Sequence, residues 1–253
     1  MSVSRNPAFT RVAPPPFATT PPMHSGGRRD KLVLGRNIPA AAVEQYRKLA
    51  AGLHQAQVQH GTKVVMMAST LAGEGKTLTA TNLALTLSES YRRRVALIDA
   101  DLRRPTVHDM FGLPNVSGLN DVLSARGDAS CEIFDVSPFL SVLTAGRPNP
   151  DPISGLTSDR MRRLVASAAE EFEWVILDTP PVGLLPDAGL LAGMVDTVVL
   201  IVAAGRTQYR MVHRTVEAIG RERIFGVVLN RAASDPLWGG YGSYYYQAYG
   251  SDR

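Results

Sequence analysis

The run Gly73-Glu74-Gly75-Lys76-Thr77 brings two glycines, a lysine and a hydroxyl into five consecutive residues. Glycines let backbone N–H groups wrap a phosphate, and the N-terminus of a following helix adds partial positive charge. In such a loop the lysine reaches the outer phosphates and the threonine hydroxyl is a ligand for Mg²⁺. The pattern departs from the usual one at Thr70, six residues before Lys76, where a glycine is the norm. A second constellation, Asp99-Ala100-Asp101-Leu102-Arg103-Arg104-Pro105, sets two carboxylates one residue apart. Strand alternation would aim both the same way, and two carboxylates so placed repel each other unless a cation lies beside them. A third, Asp178-Thr179-Pro180-Pro181, ends an apolar run in one more carboxylate, the position from which phosphate-loop enzymes hold Mg²⁺ or its water shell. The three together describe a site for ATP and Mg²⁺. As a loop residue facing a ligand, Lys76 is expected to add little to stability.

These side chains need elements to position them. The glycine-rich run follows an aliphatic stretch, Val64 to Ala68, and precedes a helical one, Leu78 to Leu87. Further aliphatic runs are Val95 to Ile98, Leu140 to Leu143, Trp174 to Leu177, Val198 to Val202 and Phe225 to Leu229. Each is continuously apolar rather than alternating, as in strands covered on both faces, and the connections are long enough for crossover helices. The fold class that follows is α/β: a doubly wound, mainly parallel sheet of the phosphate-loop NTPase type. Ligands of such sheets sit beyond the carboxyl ends of the strands, where Asp99, Asp101 and Asp178 fall. Val43, Tyr46, Leu49 and Leu53 recur at helical spacing after Pro39, which predicts a helix ending before His60. Residues 1–36 are rich in proline and glycine and poor in large apolar groups, which predicts a disordered leader. Residues 37–235 form the nucleotide-binding domain, and residues 236–253 a flexible tyrosine-rich tail.

Composition narrows the classes further. A chain of 253 residues and 27.3 kDa with 45% hydrophobic and 20% charged residues has enough apolar surface for one large core. A single cysteine, Cys131, excludes an intramolecular disulfide and any cysteine-based zinc or iron–sulfur site. The five histidines show no metal-ligand spacing, and no apolar run approaches the ~20 residues of a membrane helix. The net charge of +4 is spread along the chain, with short arginine runs at 92–94 and 103–104, so no nucleic-acid partner is expected.

The loop at 73–77, the strand Leu97-Ile98-Asp99-Ala100-Asp101-Leu102-Arg103-Arg104-Pro105, the strand end Asp178-Thr179-Pro180-Pro181 and the tyrosine-rich tail resemble the bacterial tyrosine kinases, autokinases that regulate capsular and exopolysaccharide synthesis and export. The resemblance runs from about Pro39 to the C-terminus and takes in Gly118 to Leu123 and Gly146 to Pro150. It implies an ATP-dependent protein-tyrosine kinase in which Gly73, Glu74, Gly75, Lys76, Thr77 and Leu78 hold the nucleotide and Asn230 reads the adenine. It implies that Thr77, Asp99, Asp101 and Asp178 hold Mg²⁺, with Lys76, Asp99 and Asp101 catalytic. A phenol has a pKa near 10 and gains from a nearby carboxylate as it attacks phosphorus, so either Asp99 or Asp101 can be the base. The implied acceptors are Tyr241, Tyr244, Tyr245, Tyr246 and Tyr249.

The resemblance also implies partners: a membrane-embedded polysaccharide co-polymerase or chain-length activator, a tyrosine phosphatase, and further copies of the chain in a weak homo-oligomer. The family's oligomerisation motif is present at Glu44 and Arg47, but Ala50 stands in place of its second arginine, and Ala72 replaces a common proline. The family has a separate-chain layout, which places this chain in the cytoplasm, at the inner face of the membrane through its partner. Two other readings stay open at this point. One is a ParA- or MinD-like regulatory ATPase, although Leu71 stands where those proteins carry a lysine. The other is a catalytically weak nucleotide-binding assembly subunit.

Overall fold

A computed structural model describes residues 9–15, 32–35, 38–125, 130–184 and 188–232. The tail with its five tyrosines lies outside the described residues, as does most of the stretch read as a leader.

The aliphatic runs become strands because each can bury both faces. In chain order the strands are β1 (Phe9–Val12), β2 (Val64–Ser69), β3 (Val95–Asp99), β4 (Cys131–Ser137), β5 (Leu140–Leu143), β6 (Trp174–Asp178), β7 (Thr197–Ala203) and β8 (Ile224–Asn230). They form one sheet in the order β1-β4-β5-β3-β6-β2-β7-β8. Every neighbouring pair is parallel except the hairpin β4–β5, which is antiparallel with a register shift between Asp135 and Ser137. The central strands β2, β3 and β6 are buried along their whole length.

Alternate residues of these strands feed two cores. Val65, Met67, Leu97 and Ile176 face one core, which is closed by the helices α1 (Ala40–His60), α2 (Lys76–Leu85) and α3 (Val107–Phe111). Met66, Ile98, Leu177 and Leu200 face the other, closed by α4 (Leu119–Ser124), α5 (Ile153–Leu156), α6 (Asp159–Glu171), α7 (Ala188–Ala192) and α8 (Tyr209–Ile219). Burying a Leu, Ile or Val contributes roughly 1.5–3 kcal/mol, so two filled cores fix the strand register on both sides.

Helix α1 runs through His60 and ends at Gly61, whose φ of 73° and N–H to the Gln57 carbonyl make a left-handed cap. Glu44 and Arg47 pair across one turn at 3.8 Å on its exposed side, whereas Ala50 is fully buried. The alanine at 50 thus has a packing reason, since an arginine there would place a charge in the core.

Two features differ from the sequence reading. Within the stretch read as a disordered leader, Phe9–Val12 adds a parallel edge strand to β4. Phe9 is buried edge-on to Phe172 at 6.1 Å, and Arg11 lies 5.1 Å over the same ring while pairing with Asp135 and Glu171 at 2.6 and 2.5 Å. Four residues are too few to show a period, and the contacts that order them come from elsewhere in the chain. The second is β4, whose Glu132 and Asp135 interrupt the apolar pattern because this strand sits near the sheet edge with one face half exposed.

Candidate active site

The end of β2 leads through residues 70–75 into α2, so the glycine-rich run is a strand-to-helix loop beyond the carboxyl end of a central strand. Gly73 and Gly75 have φ of 79° and 97°, the left-handed region that side chains avoid. The N–H groups of Lys76, Thr77 and Leu78 belong to the first turn of α2, where a helix supplies no acceptor one turn back. The start of the loop is also packed closely: a Cβ on Gly183, in the short helical turn at 182–184 after β6, would come within 2.4 Å of the Thr70 carbonyl oxygen.

The loop is braced from outside. The Glu74 side chain turns inward and is almost fully buried. One carboxylate oxygen accepts the Leu71 N–H at 2.7 Å, and the other accepts the Ala203 N–H at 3.2 Å and the Thr207 hydroxyl. Glu74 therefore serves the loop through its side chain as a strut to the end of β7, and only its N–H is left for a ligand. Asn230, at the end of β8, donates from its amide to the Glu74 carbonyl at 2.8 Å and accepts the Arg231 N–H at 2.9 Å. Both ends of its side chain hold backbone, and the second amide N–H and the second lone pair of Oδ1 are the groups left for the adenine contact implied by resemblance. Arg231 donates to the Gly73 carbonyl at 2.7 Å. Arg231 and Thr207 were not singled out from the sequence; adjacency to Asn230 could have flagged the first, while nothing local marks the second.

This bracing makes Gly75 sensitive. A Cβ at 75 would sit 2.1 Å from the Asn230 amide nitrogen, and the left-handed φ adds about 1–2 kcal/mol of strain for any side chain. Gly75→Ala is expected to weaken nucleotide binding about tenfold or more, with partial recovery in the Gly75→Ala/Asn230→Ala double variant. A fluorescent-nucleotide titration checks this, and unchanged affinity in the single variant would contradict the geometry.

The three aspartates gather around Lys76 but are not equivalent. Asp178 is fully buried at the end of β6; one oxygen pairs with the Lys76 ammonium, while Oδ2 accepts no hydrogen bond from any described residue. Asp99, also fully buried, accepts the Asp101 N–H on one oxygen and the Thr106 and Val107 N–H groups on the other, at 3.0–3.1 Å. Asp101 has one oxygen on the Arg104 N–H at 3.1 Å and the other 3.9 Å from Lys76. The strand ends at Asp99, so the alternation expected to align Asp99 with Asp101 stops there: Asp99 braces the following loop, and Asp101 is the carboxylate left facing the lysine.

Burial, with the charge of Asp178 second, pushes the Asp99 carboxyl up to about 8, against the Val107 N–H and the Lys76 ammonium. Asp101 is raised too, by burial, with Lys76 pulling the other way. A raised native value means that the folded chain binds more protons than the unfolded one. The stabilising contribution of Asp99 is complete below the ordinary carboxylate value and is lost as pH rises toward about 8. Melting temperatures of the protein without nucleotide or metal are expected to fall over that interval, and Asp99→Asn should flatten the slope. A flat wild-type profile would contradict a native Asp99 carboxyl raised by burial.

Among the described residues no three acidic, histidine or cysteine side chains form a cage for a metal ion. Mg²⁺ rarely needs one, because it takes one or two protein oxygens and completes its octahedron with phosphate and water. The residues fit that habit: Asp178 Oδ2 is a buried oxygen lacking a donor, and the Thr77 hydroxyl, 3.3 Å from the Thr106 hydroxyl, stands at the first turn of α2.

Comparison with known proteins agrees with this geometry. Residues 65–237 match the CobQ/CobB/MinD/ParA nucleotide binding domain. The tyrosine-protein kinase YwqD of Bacillus subtilis is 34% identical over 81% of this chain and 88% of its own length. Among solved structures, the kinase domain of the Escherichia coli tyrosine kinase ETK is similar at 30% identity and a TM-score of 0.67, covering 77% of this chain and 78% of that one. The chimerical protein CapA2B2 is similar at 28% identity and a TM-score of 0.71, covering 81% and 91%. The chain belongs to the bacterial tyrosine-protein kinases of the MinD/ParA nucleotide-binding family. It is a protein-tyrosine kinase with a nucleotide-binding phosphate loop.

Proposed function

We propose that this kinase uses ATP and Mg²⁺ to phosphorylate the tyrosines of its own tail, Tyr241, Tyr244, Tyr245, Tyr246 and Tyr249, and that this cycle regulates the synthesis and export of a capsular or exopolysaccharide. The observation that carries the reading is the meeting of Lys76, Asp178 and Asp101 at the mouth of the phosphate loop. When ATP binds, its phosphates compete with Asp178 for the lysine, and Asp178 is freed toward the metal side. Thr77 and Asp178 would hold Mg²⁺, which would supply positive charge against the phosphates. The loop N–H groups orient the phosphates, Lys76 follows the charge that develops on the transferred group, and Asp101 takes the phenolic proton.

The names of the relatives supply the setting: YwqD, CpsD and Etk are tyrosine-protein kinases, and CapA2B2 is a chimerical protein. No helix among the described residues is long and apolar enough to cross a membrane, so attachment to the inner face of the membrane would come through a partner, a co-polymerase or chain-length activator. Glu44 and Arg47 are exposed on α1 and available to a second copy, whereas the buried Ala50 is not, which favours weak self-association. A tyrosine phosphatase would reset the tail.

The test is incubation of the full chain with ATP and Mg²⁺ followed by mass spectrometry. Phosphotyrosine at 241–249, lost when all five tyrosines become phenylalanine, supports the reading. Nucleotide hydrolysis without phosphotyrosine would replace it with the regulatory ATPase.

A further inference from the structure

Thr106 occupies the position just before α3, where a threonine hydroxyl normally accepts an N–H from the first turn of its own helix. Here it makes no such bond. The capping falls to Asp99, whose Oδ2 accepts the Thr106 and Val107 N–H groups at 3.1 and 3.0 Å. Asp99 is fully buried at the end of β3, so it pins the Thr106 backbone, and a β-branched side chain on a pinned backbone has few rotamers left. The hydroxyl so placed lies 3.3 Å from that of Thr77, at the first turn of α2.

Thr77 departs from its neighbours in the same way. Thr79 in α2 and Thr86 just after it donate their hydroxyls to the carbonyls four residues back, those of Gly75 and Asn82, at 2.9 and 2.7 Å. The carbonyl four residues before Thr77 is that of Gly73, and it accepts Arg231 at 2.7 Å. Among the described residues, the hydrogen-bonding partner of the Thr77 hydroxyl is Thr106. Two half-buried hydroxyls from separate elements thus meet at the loop, each without the bond that its own helix would ordinarily give it.

We propose that Thr106 is a positioning residue for the divalent cation bound with the nucleotide, and that it acts by orienting the Thr77 hydroxyl. The proposal rests on the reading of Thr77 and Asp178 as protein ligands of the metal. A hydroxyl that gives a lone pair to a cation must send its proton elsewhere, and the nearby positive charge makes that proton a stronger donor. Thr106 Oγ1 is the acceptor at hand. Mg²⁺ demands near-ideal octahedral geometry, so a ligand whose direction is fixed in advance binds it better than one free to rotate. A tie between two loops for stability alone explains the contact less well. Asp99 already holds the 101–107 loop through three backbone N–H groups, and a bond between two neutral hydroxyls adds little to that. In this arrangement Asp99 serves the metal site indirectly, by holding Thr106.

The experiment uses the full chain, a fluorescent ADP and Mg²⁺, which is expected to tighten binding of the nucleotide, so no transfer step is read. Affinity is measured in chelator and across a Mg²⁺ titration for wild type, for Thr106→Val, which keeps the branched shape, and for Thr106→Ser, which keeps the hydroxyl. Thr106→Val should need about tenfold more Mg²⁺ for half of the tightening, the low end of the range for loss of a ligand's supporting partner. Thr106→Ser should restore the wild-type requirement, and affinity in chelator should match in all three. Thr77→Val should raise the requirement as well, and adding Thr106→Val to it should change nothing further, because the effect passes through that hydroxyl. Melting without ligand checks each fold, and Thr106→Ala takes the place of Thr106→Val if the latter does not fold. An unchanged requirement in Thr106→Val, a Thr106→Ser variant that behaves like Thr106→Val, additive effects in the double variant, or an equal loss of affinity in chelator would each overturn the proposal and leave the metal reading standing. A wild-type affinity that ignores Mg²⁺, or a Thr77→Val variant with the wild-type requirement, would overturn the metal reading and the proposal with it.

Discussion

Lys76→Met is expected to abolish detectable phosphoryl transfer and, in nucleotide-free buffer, to lower the melting temperature by about 10 °C. The first effect follows from the ligand side: the ammonium is the charge that tracks the phosphoryl group, and removing one such donor costs about 10²–10³ in rate. The second effect reverses the expectation for a loop lysine. Lys76 is only 6% exposed and is paired with a fully buried Asp178, whose other oxygen has no donor among the described residues. Removing one partner of a buried pair leaves an uncompensated charge and costs about 3–5 kcal/mol. In a chain of this size that converts to roughly 2–4 °C per kcal/mol. The variant Lys76→Met/Asp178→Asn removes both charges, so it should melt above Lys76→Met although it remains inactive. That non-additivity is the signature of a direct contact. Thermal denaturation of the four proteins checks the cycle. A single variant as stable as wild type would show that the pair does not form, and persistent autophosphorylation would remove Lys76 from the site.

The lysine also shows where sequence reasoning reaches and where it stops. The loop is legible because its chemistry is local: two glycines, a lysine and a threonine are adjacent in the chain and stay adjacent in the fold. Strands β2, β3 and β6 are legible for a related reason, since burial on both faces leaves an unbroken apolar run such as Val64–Ser69. What is not legible depends on residues far apart. Glu74 reads as a ligand within the loop, yet its carboxylate spans to Ala203 and Thr207, and the Asn230 amide donates to the Glu74 carbonyl. Strand β1 escapes notice because its order comes from Phe172, Asp135 and Glu171, more than a hundred residues away. Its four residues could not nucleate a strand alone.

Asp101→Asn should lower the rate of tyrosine phosphorylation by about 10²-fold or more, within the range for loss of a general base, while Asp99→Asn lowers it less than about tenfold. Sequence alone leaves the two aspartates as equal candidates, and their surroundings separate them. Asp99 is fully buried and receives three backbone N–H groups, so neither oxygen is free to approach a phenol. Burial, with the charge of Asp178 second, also raises its carboxyl, which favours the protonated form and works against a role as base. An asparagine there keeps the shape and one acceptor oxygen, so its effect falls on the bracing of the 101–107 loop rather than on proton transfer. Asp101 has one oxygen engaged by the Arg104 N–H and the other turned toward Lys76 at 3.9 Å, beside the loop mouth where an acceptor tyrosine must arrive. Its upward displacement by burial moves it closer to neutrality, in the direction that suits a base. Initial rates of tail phosphorylation for both variants over a pH series decide the order. With wild type rising through the Asp101 ionisation and Asp101→Asn losing that limb, Asp101 is the base; an equal fall in both variants, or a larger one in Asp99→Asn with an unchanged melting temperature, would assign the role to Asp99.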